Sequence, residues 1–181
     1  MPKKYRKTRA VVKSVCLVVE GCTEKNYFTF LAQKLRKHLR GALALRVEDA
    51  GGGSPKTVVS RACKLRKIRN YDLIFVIFDI DRPQQEVKEA LSRAKKCKVD
   101  CYMAKPCFER WLLAHFSQYL PSSKRCEDFL KQLSQHVPGY KKGECKDIQE
   151  KLSEHFGCHL LQARLSVETF DRLLDQLIPY S

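Results

Sequence analysis

Two short apolar runs, Val15-Cys16-Leu17-Val18-Val19 and Leu73-Ile74-Phe75-Val76-Ile77-Phe78, narrow the folds open to this chain more than any other feature. Neither run alternates apolar with polar residues, as a strand with one wet face would. Short runs rich in branched and aromatic residues are strands buried on both faces, the pattern of a parallel sheet covered by helices. The text around them agrees. Tyr27, Phe28, Leu31 and Leu35 recur at helical spacing and predict a helix to about His38, with Thr23 as its N-cap. A strand is expected over 43–47, and Ser54-Pro55 then opens a helix to about Arg69. After the second apolar run, Pro83 starts a helix to about Lys95, and a further strand follows near 99–104.

This β-α-β-α-β-α-β alternation predicts an α/β fold with a Rossmann-like parallel sheet and helices on its faces. Pro106 introduces a helix over 107–116, with Phe108, Trp111, Leu112 and His115 on one stripe. Further helices are expected at about 123–135, 144–156 and 166–178, punctuated by Pro138-Gly139 and Gly157. At 181 residues the chain suits a basic arm over 1–12 and a single domain over 13–181. The α/β core of that domain would end near 120, and a helical extension would cover about 121–181.

Charge is the strongest compositional signal. Lysine and arginine number 35 against 20 acids, a formal net charge of +15. Lys3, Lys4, Arg6, Lys7, Arg9 and Lys13 precede the first strand with no acid among them. Further basic clusters lie at 34–40, 64–69 and 95–98. Such stripes attract phosphate backbones whatever their sequence, so the expected partner is nucleic acid, DNA or RNA. No segment reaches the roughly 18 consecutive apolar residues of a membrane span, and the amino-terminal residues lack a signal-peptide pattern. A cytoplasmic protein with no membrane partner is the expectation. The nine cysteines are odd in number, contain no Cys-x-x-Cys and show no paired zinc-ligand spacing. They read as small core or surface residues in a reducing compartment rather than as a disulfide framework.

Against this basic background, three acids stand at strand ends. Glu20 closes the first apolar run, and Asp79 and Asp81 close the second. In open α/β sheets the functional crevice lies outside the carboxyl ends of the strands. If the two strands are neighbours, three carboxylates meet at one rim, and a divalent cation is the usual reason for such crowding. Asp79 and Asp81, one residue apart, can point the same way with Ile80 turned to the core. Oxygen ligands suit Mg²⁺ or Mn²⁺. A haloacid-dehalogenase-type phosphatase normally carries its Asp-x-Asp on the first strand, with Thr or Val two residues on, where this chain has Pro83. A P-loop is excluded by its missing motif. Glu20 can coordinate metal or serve as general acid or base. Glu24, at a helix start, reads equally well as an acid favoured by the helix dipole. Gly51-Gly52-Gly53 can offer backbone amides to a phosphate or simply form a turn.

Three blocks together resemble the RloB-like proteins: Glu20-Gly-Cys-Thr-Glu24-Lys-Asn-Tyr-Phe28, Phe78-Asp-Ile-Asp81, and Pro106-Cys-Phe-Glu-Arg-Trp-Leu-Leu-Ala-His-Phe116. The resemblance spans most of residues 12–178, and the third block is its most specific part. It implies a TOPRIM-like fold, whose Glu and Asp-x-Asp groups bind Mg²⁺ in primases, topoisomerases and nucleases. It also implies prokaryotic restriction or phage-defence loci and an ATPase partner subunit. By position Glu20 is then the TOPRIM glutamate, Asp79 and Asp81 are the metal aspartates, and Glu109 takes the place of the glutamate in the aromatic block. Relatives commonly carry Asn before Pro-Cys-Phe-Glu; this chain has Lys105, which can pair with a scissile phosphate or simply replace a structural side chain. The expectation is a Mg²⁺-dependent nuclease with Glu20, Asp79, Asp81, Glu109 and Lys105 in its site. Two other readings stay open: a non-catalytic module gripping nucleic acid or an ATPase, and a PIN- or NYN-type ribonuclease.

Overall fold

The computed structural model describes residues 13–38, 43–80, 83–142, 146–154, 160–161, 163–164 and 166–177. Four strands form one sheet: β1 (Lys13–Val19), β2 (Leu43–Asp49), β3 (Leu73–Asp79) and β4 (Asp100–Ala104). Their order is β2-β1-β3-β4 and every pairing is parallel. Helices α1 (Cys22–His38), α2 (Pro55–Ile68) and α3 (Gln84–Lys96) make the crossovers. Beyond β4 come α4 (Glu109–Ala114), α5 (Cys126–His136), α6 (Lys146–Glu154) and α7 (Glu168–Leu177). The expected parallel α/β sheet with a helical carboxyl-terminal part is therefore present. Among the described residues no helix is long and apolar enough to cross a membrane.

The apolar runs are explained by the two faces of the sheet. Successive side chains of a strand point to opposite faces. Val15, Leu17, Val19, Phe75 and Ile77 pack on one face with Tyr27, Phe28 and Leu31 of α1, Trp111 and Leu112 of α4, and Phe170, Leu173 and Leu174 of α7. Cys16, Val18, Ile74, Val76 and Phe78 pack on the other with Val58, Val59 and Ala62 of α2 and Val87 and Ala90 of α3. With both faces dry, no position of β1 after Ser14 is polar. Each fully buried Val, Leu, Ile or Phe contributes roughly 1.5–3 kcal/mol, so these central strands anchor the fold.

Several local expectations are corrected. α1 begins at Cys22, and Thr23 is buried inside its first turn rather than capping it. The cap comes from the other direction: the Gly21 N–H donates to Glu24 Oε2 at 3.2 Å, and the Lys25 N–H donates to the Gly21 carbonyl at 3.1 Å. This is the half of a capping box in which an acid three residues into the helix reaches back. Ser54 occupies the N-cap position of α2 with extended backbone, but its hydroxyl caps no N–H. The helix expected over 107–116 shortens to α4.

The cysteines are corrected too. Cys63 pairs with Cys97 and Cys107 with Cys126, with Cα–Cα separations of 5.5 and 5.9 Å, ordinary for disulfides. Partners 34 and 19 residues apart are brought together by helix packing, which no local spacing discloses. Cys16, Cys22 and Cys101 are free. The remaining two cysteines, Cys145 and Cys158, and the Gly157 punctuation lie outside the described residues.

Candidate metal centre at the sheet switch point

In the order β2-β1-β3-β4, the chain runs outward from β1 to β2 in one direction and from β3 to β4 in the other. The switch point thus lies between β1 and β3, and the crevice outside its carboxyl ends is where ligands of such sheets bind. Glu20 follows β1 and Asp79 ends β3, so both stand at this crevice. They touch: the Asp79 N–H donates to Glu20 Oε2 at 3.3 Å. Gly52 N–H donates to the Glu20 carbonyl at 2.8 Å and Gly51 N–H to Asp49 Oδ1 at 3.1 Å. Two of the three glycine amides are therefore already used, one closing the loop against the end of β1 and one bonding back to the end of β2. Positive φ angles of 79°, 83° and 114° at Gly51, Gly52 and Gly53 explain why the turn is built of glycine.

Two further acids join them. Glu24 is one helical turn after Glu20, and α4 brings Glu109 in from the far side of β3. Asp79, Glu24 and Glu109 are 4%, 5% and 0% exposed. The Phe108 N–H donates to Asp79 Oδ1 at 2.9 Å, which fixes the aspartate against the start of α4. Both Glu109 oxygens are buried with no hydrogen-bond partner among the described residues. The only cation within 4 Å of these acids among the described residues is Lys142. Its Nζ lies 3.8 Å from Asp79 Oδ2 and 3.7 Å from Glu109 Oε1. A crevice of about 240 Å³ opens beside the cluster, lined by Glu20, Gly21, Cys22, Thr23, Glu24, Gly52 and Lys142.

Among the described residues, Asp79, Glu24 and Glu109 are buried carboxylates with one ammonium, Lys142, beside them, inside a protein of net charge +15. The titration of the groups reflects this arrangement. Burial, then the Glu24 and Glu109 carboxylates, push Asp79 up to about 8 against the pull of Lys142. Burial raises Glu24 as well; a backbone hydrogen bond opposes the rise, and Glu109 and Glu20 add to it. Partial burial pulls Lys142 down, but Glu109, Asp79, Glu24 and Glu20 outweigh it and hold its pKa above the ordinary lysine value. A buried carboxylate with unmet lone pairs costs several kcal/mol unless a cation or donors satisfy it. Carboxylate oxygens are the donors Mg²⁺ or Mn²⁺ takes, and Glu20, Glu24, Asp79 and Glu109 are the residues that could hold one. Among the described residues no three of these four carboxylates have ligand atoms within 4.8 Å of one another, so they would have to draw together around an ion.

The family model of RloB-like proteins matches residues 15–176, nearly the whole chain. The chain belongs to the RloB-like family. No curated protein matches it significantly. In this RloB-like protein Glu20, Asp79 and Glu109 come together from three separate segments, while Asp81 lies outside the described residues. Lys3, Lys4, Arg6, Lys7 and Arg9 also lie outside them. Lys13 begins β1, at the opposite end of the strand from Glu20 and roughly 20 Å away at about 3.3 Å per residue. It does not reach the cluster. Lys105 is exposed and lines a neighbouring cavity instead of the crevice of the acids.

Sequence reasoning undervalued Glu24 and missed Lys142. The four-residue spacing from Glu20 to Glu24 was the available signal for the first. Lys142 follows the Pro138-Gly139 turn, 33 residues after Glu109, and has no local signature.

Proposed function

We propose that this RloB-like protein is a Mg²⁺- or Mn²⁺-dependent nuclease on a TOPRIM-like scaffold, cleaving phosphodiester bonds of DNA or RNA in a prokaryotic defence setting. The observation that carries the reading is Glu109: a fully buried carboxylate with no hydrogen-bond donor, set among Glu20, Glu24 and Asp79. Glu20, Asp79, Glu109 and, by the family pattern, Asp81 would hold the metal. When bound, it would polarise the scissile phosphate and lower the pKa of water. The chain's own groups supply the rest. The Phe108 N–H orients Asp79, and Lys142 offsets negative charge at the mouth of the crevice. Glu24, held above the ordinary glutamate pKa, keeps a proton to higher pH than an exposed carboxyl and is suited to pass it to a leaving oxygen. An ATPase subunit is the partner proposed from the family pattern.

The test is incubation with mixed DNA and RNA substrates in Mg²⁺ or Mn²⁺, with wild type beside Asp79→Ala plus Asp81→Ala. Loss of cleavage with retained nucleic-acid binding is expected. Unchanged cleavage by the double variant would reject the assignment.

One observation favours a second reading. Lys142 already supplies a positive charge to Asp79 and Glu109, so the scaffold can serve as a metal-free module that grips nucleic acid or an ATPase. Equal affinity for nucleic acid in Mg²⁺ and in EDTA, with no nicking, is the outcome that selects it.

A further inference from the structure

A second cavity, of about 410 Å³, adjoins the carboxylate centre and has the opposite electrostatic character. Its walls come from two places. Ile80, directly after Asp79, and Lys105 and Arg110 flanking the start of α4 form one side; Ser122, Ser123 and Lys124 on the segment ahead of α5 form the other. Three cations and the Ser122 hydroxyl face the space, and no acid lines it among the described residues. The Ser123 hydroxyl on the same wall is already engaged, donating to the Asp128 carboxylate and accepting the Arg125 N–H. Nor is Lys105, Arg110 or Lys124 paired with a carboxylate among those residues. Arg110 Nη1 donates to the Lys105 carbonyl at 3.4 Å, which holds the guanidinium on that wall while its remaining N–H groups stay available.

A concave site with fixed guanidinium, ammonium and hydroxyl donors recognises a phosphate group. Its volume lies in the range of small-ligand sites and exceeds what one inorganic phosphate fills, which favours a nucleotide unit. Its place is equally informative. Ile80 is bonded in sequence to Asp79, and Phe108, between Lys105 and Arg110, donates its N–H to the Asp79 carboxylate. A strand with one phosphate at the acidic crevice would pass its neighbouring phosphate beside this wall.

We propose that the cavity of Lys105, Arg110, Ser122, Ser123 and Lys124 is a subsite for the phosphodiester next to the one presented to the carboxylates. It holds a nucleic-acid strand in register through its backbone. This rests on the nuclease reading for the role of the carboxylates, but binding in the subsite needs no metal.

The test uses the full chain with Lys105→Gln, Arg110→Gln and Lys124→Gln combined, its fold checked by circular dichroism and thermal melting. Arg110→Lys alone is a milder companion that keeps the charge and loses the guanidinium fork. Affinity for a labelled single-stranded oligonucleotide, as DNA and as RNA, is measured in EDTA across a salt series. Competition by inorganic phosphate is run alongside. The triple variant is expected to bind about tenfold or more weakly. The slope of log affinity against log salt should shrink by about 0.7, the share of one phosphate contact on a single strand. Unchanged affinity and slope in the folded triple variant overturn the subsite. Loss of phosphate competition without loss of oligonucleotide binding also overturns it, because the cavity then serves a free anion. The two readings fail separately. Weakened binding by the variant when wild type cleaves nothing keeps the subsite and removes the nuclease. Cleavage by the variant with unchanged KM keeps the nuclease and removes the subsite.

Discussion

Replacing Asp79 with Asn should make the metal-free protein more stable, the reverse of what removing a hydrogen-bonded buried residue ordinarily does. Asp79 is held at about 8, while the same group in the unfolded chain titrates near 3.9. Between those values the folded protein keeps a proton that the unfolded chain has lost, so the native state binds more protons and stability falls as pH rises from about 4 to about 8. At pH 7 the gap spans about three pH units, an upper bound of ~4 kcal/mol at about 1.4 kcal/mol per unit. Relaxation and an effective dielectric near 20 bring the realised cost to about 2 kcal/mol. Asn keeps the shape and an oxygen to accept the Phe108 N–H. It gives up only the pairing with Lys142, which is 58% exposed in its side chain and worth under about 1 kcal/mol. Thermal melting of Asp79→Asn in EDTA at pH 7.5 should therefore show a rise of a few °C, at roughly 2–4 °C per kcal/mol for a chain of this size. Wild type in EDTA should gain stability as pH is lowered towards 5, and the variant should gain less. With Mg²⁺ present the order should reverse, because bound metal stabilises only a site that can hold it. A lower melting temperature for Asp79→Asn in EDTA, with no pH-dependent difference from wild type, would refute the reasoning.

Two other outcomes are expected. Lys142→Met removes the cation facing Asp79 and Glu109 and should lower stability in EDTA by about 1 kcal/mol in urea denaturation, with Mg²⁺ erasing most of the difference. Opening the Cys63–Cys97 link, which closes a loop of 34 residues, should cost about 3–4 kcal/mol. Comparing the urea midpoint of oxidised wild type with that of Cys63→Ala plus Cys97→Ala measures it.

The sheet and two of the acids were legible because they obey one-dimensional rules. Unbroken apolar runs mean strands buried on both faces, and acids directly after such strands fall at the carboxyl edge of a parallel sheet. Glu20 and Asp79 meet there because β1 and β3 are neighbours, which is a property of the strand order. Glu109 was visible only through its family block, since an acid in the first turn of a helix is otherwise unremarkable. Glu24 shows why single-role reasoning fell short: its carboxylate caps Gly21 and faces the other acids at once. Lys142, the disulfide partners and the cavity of Lys105, Arg110 and Lys124 arise from segments joined only by tertiary packing. The glycine loop was open to two readings, and its hydrogen bonds to Glu20 and Asp49 favour the turn.

The central claim is that the carboxylates at the β1–β3 switch point form a divalent-metal centre. Calorimetric titration of the metal-stripped full chain with Mn²⁺, beside Asp79→Asn and Glu109→Gln, tests it most directly. Saturable Mn²⁺ binding by wild type, with release of protons and loss of binding in both variants, is the predicted result. Absence of saturable binding by folded wild type, or binding of equal strength in all three proteins, would contradict it.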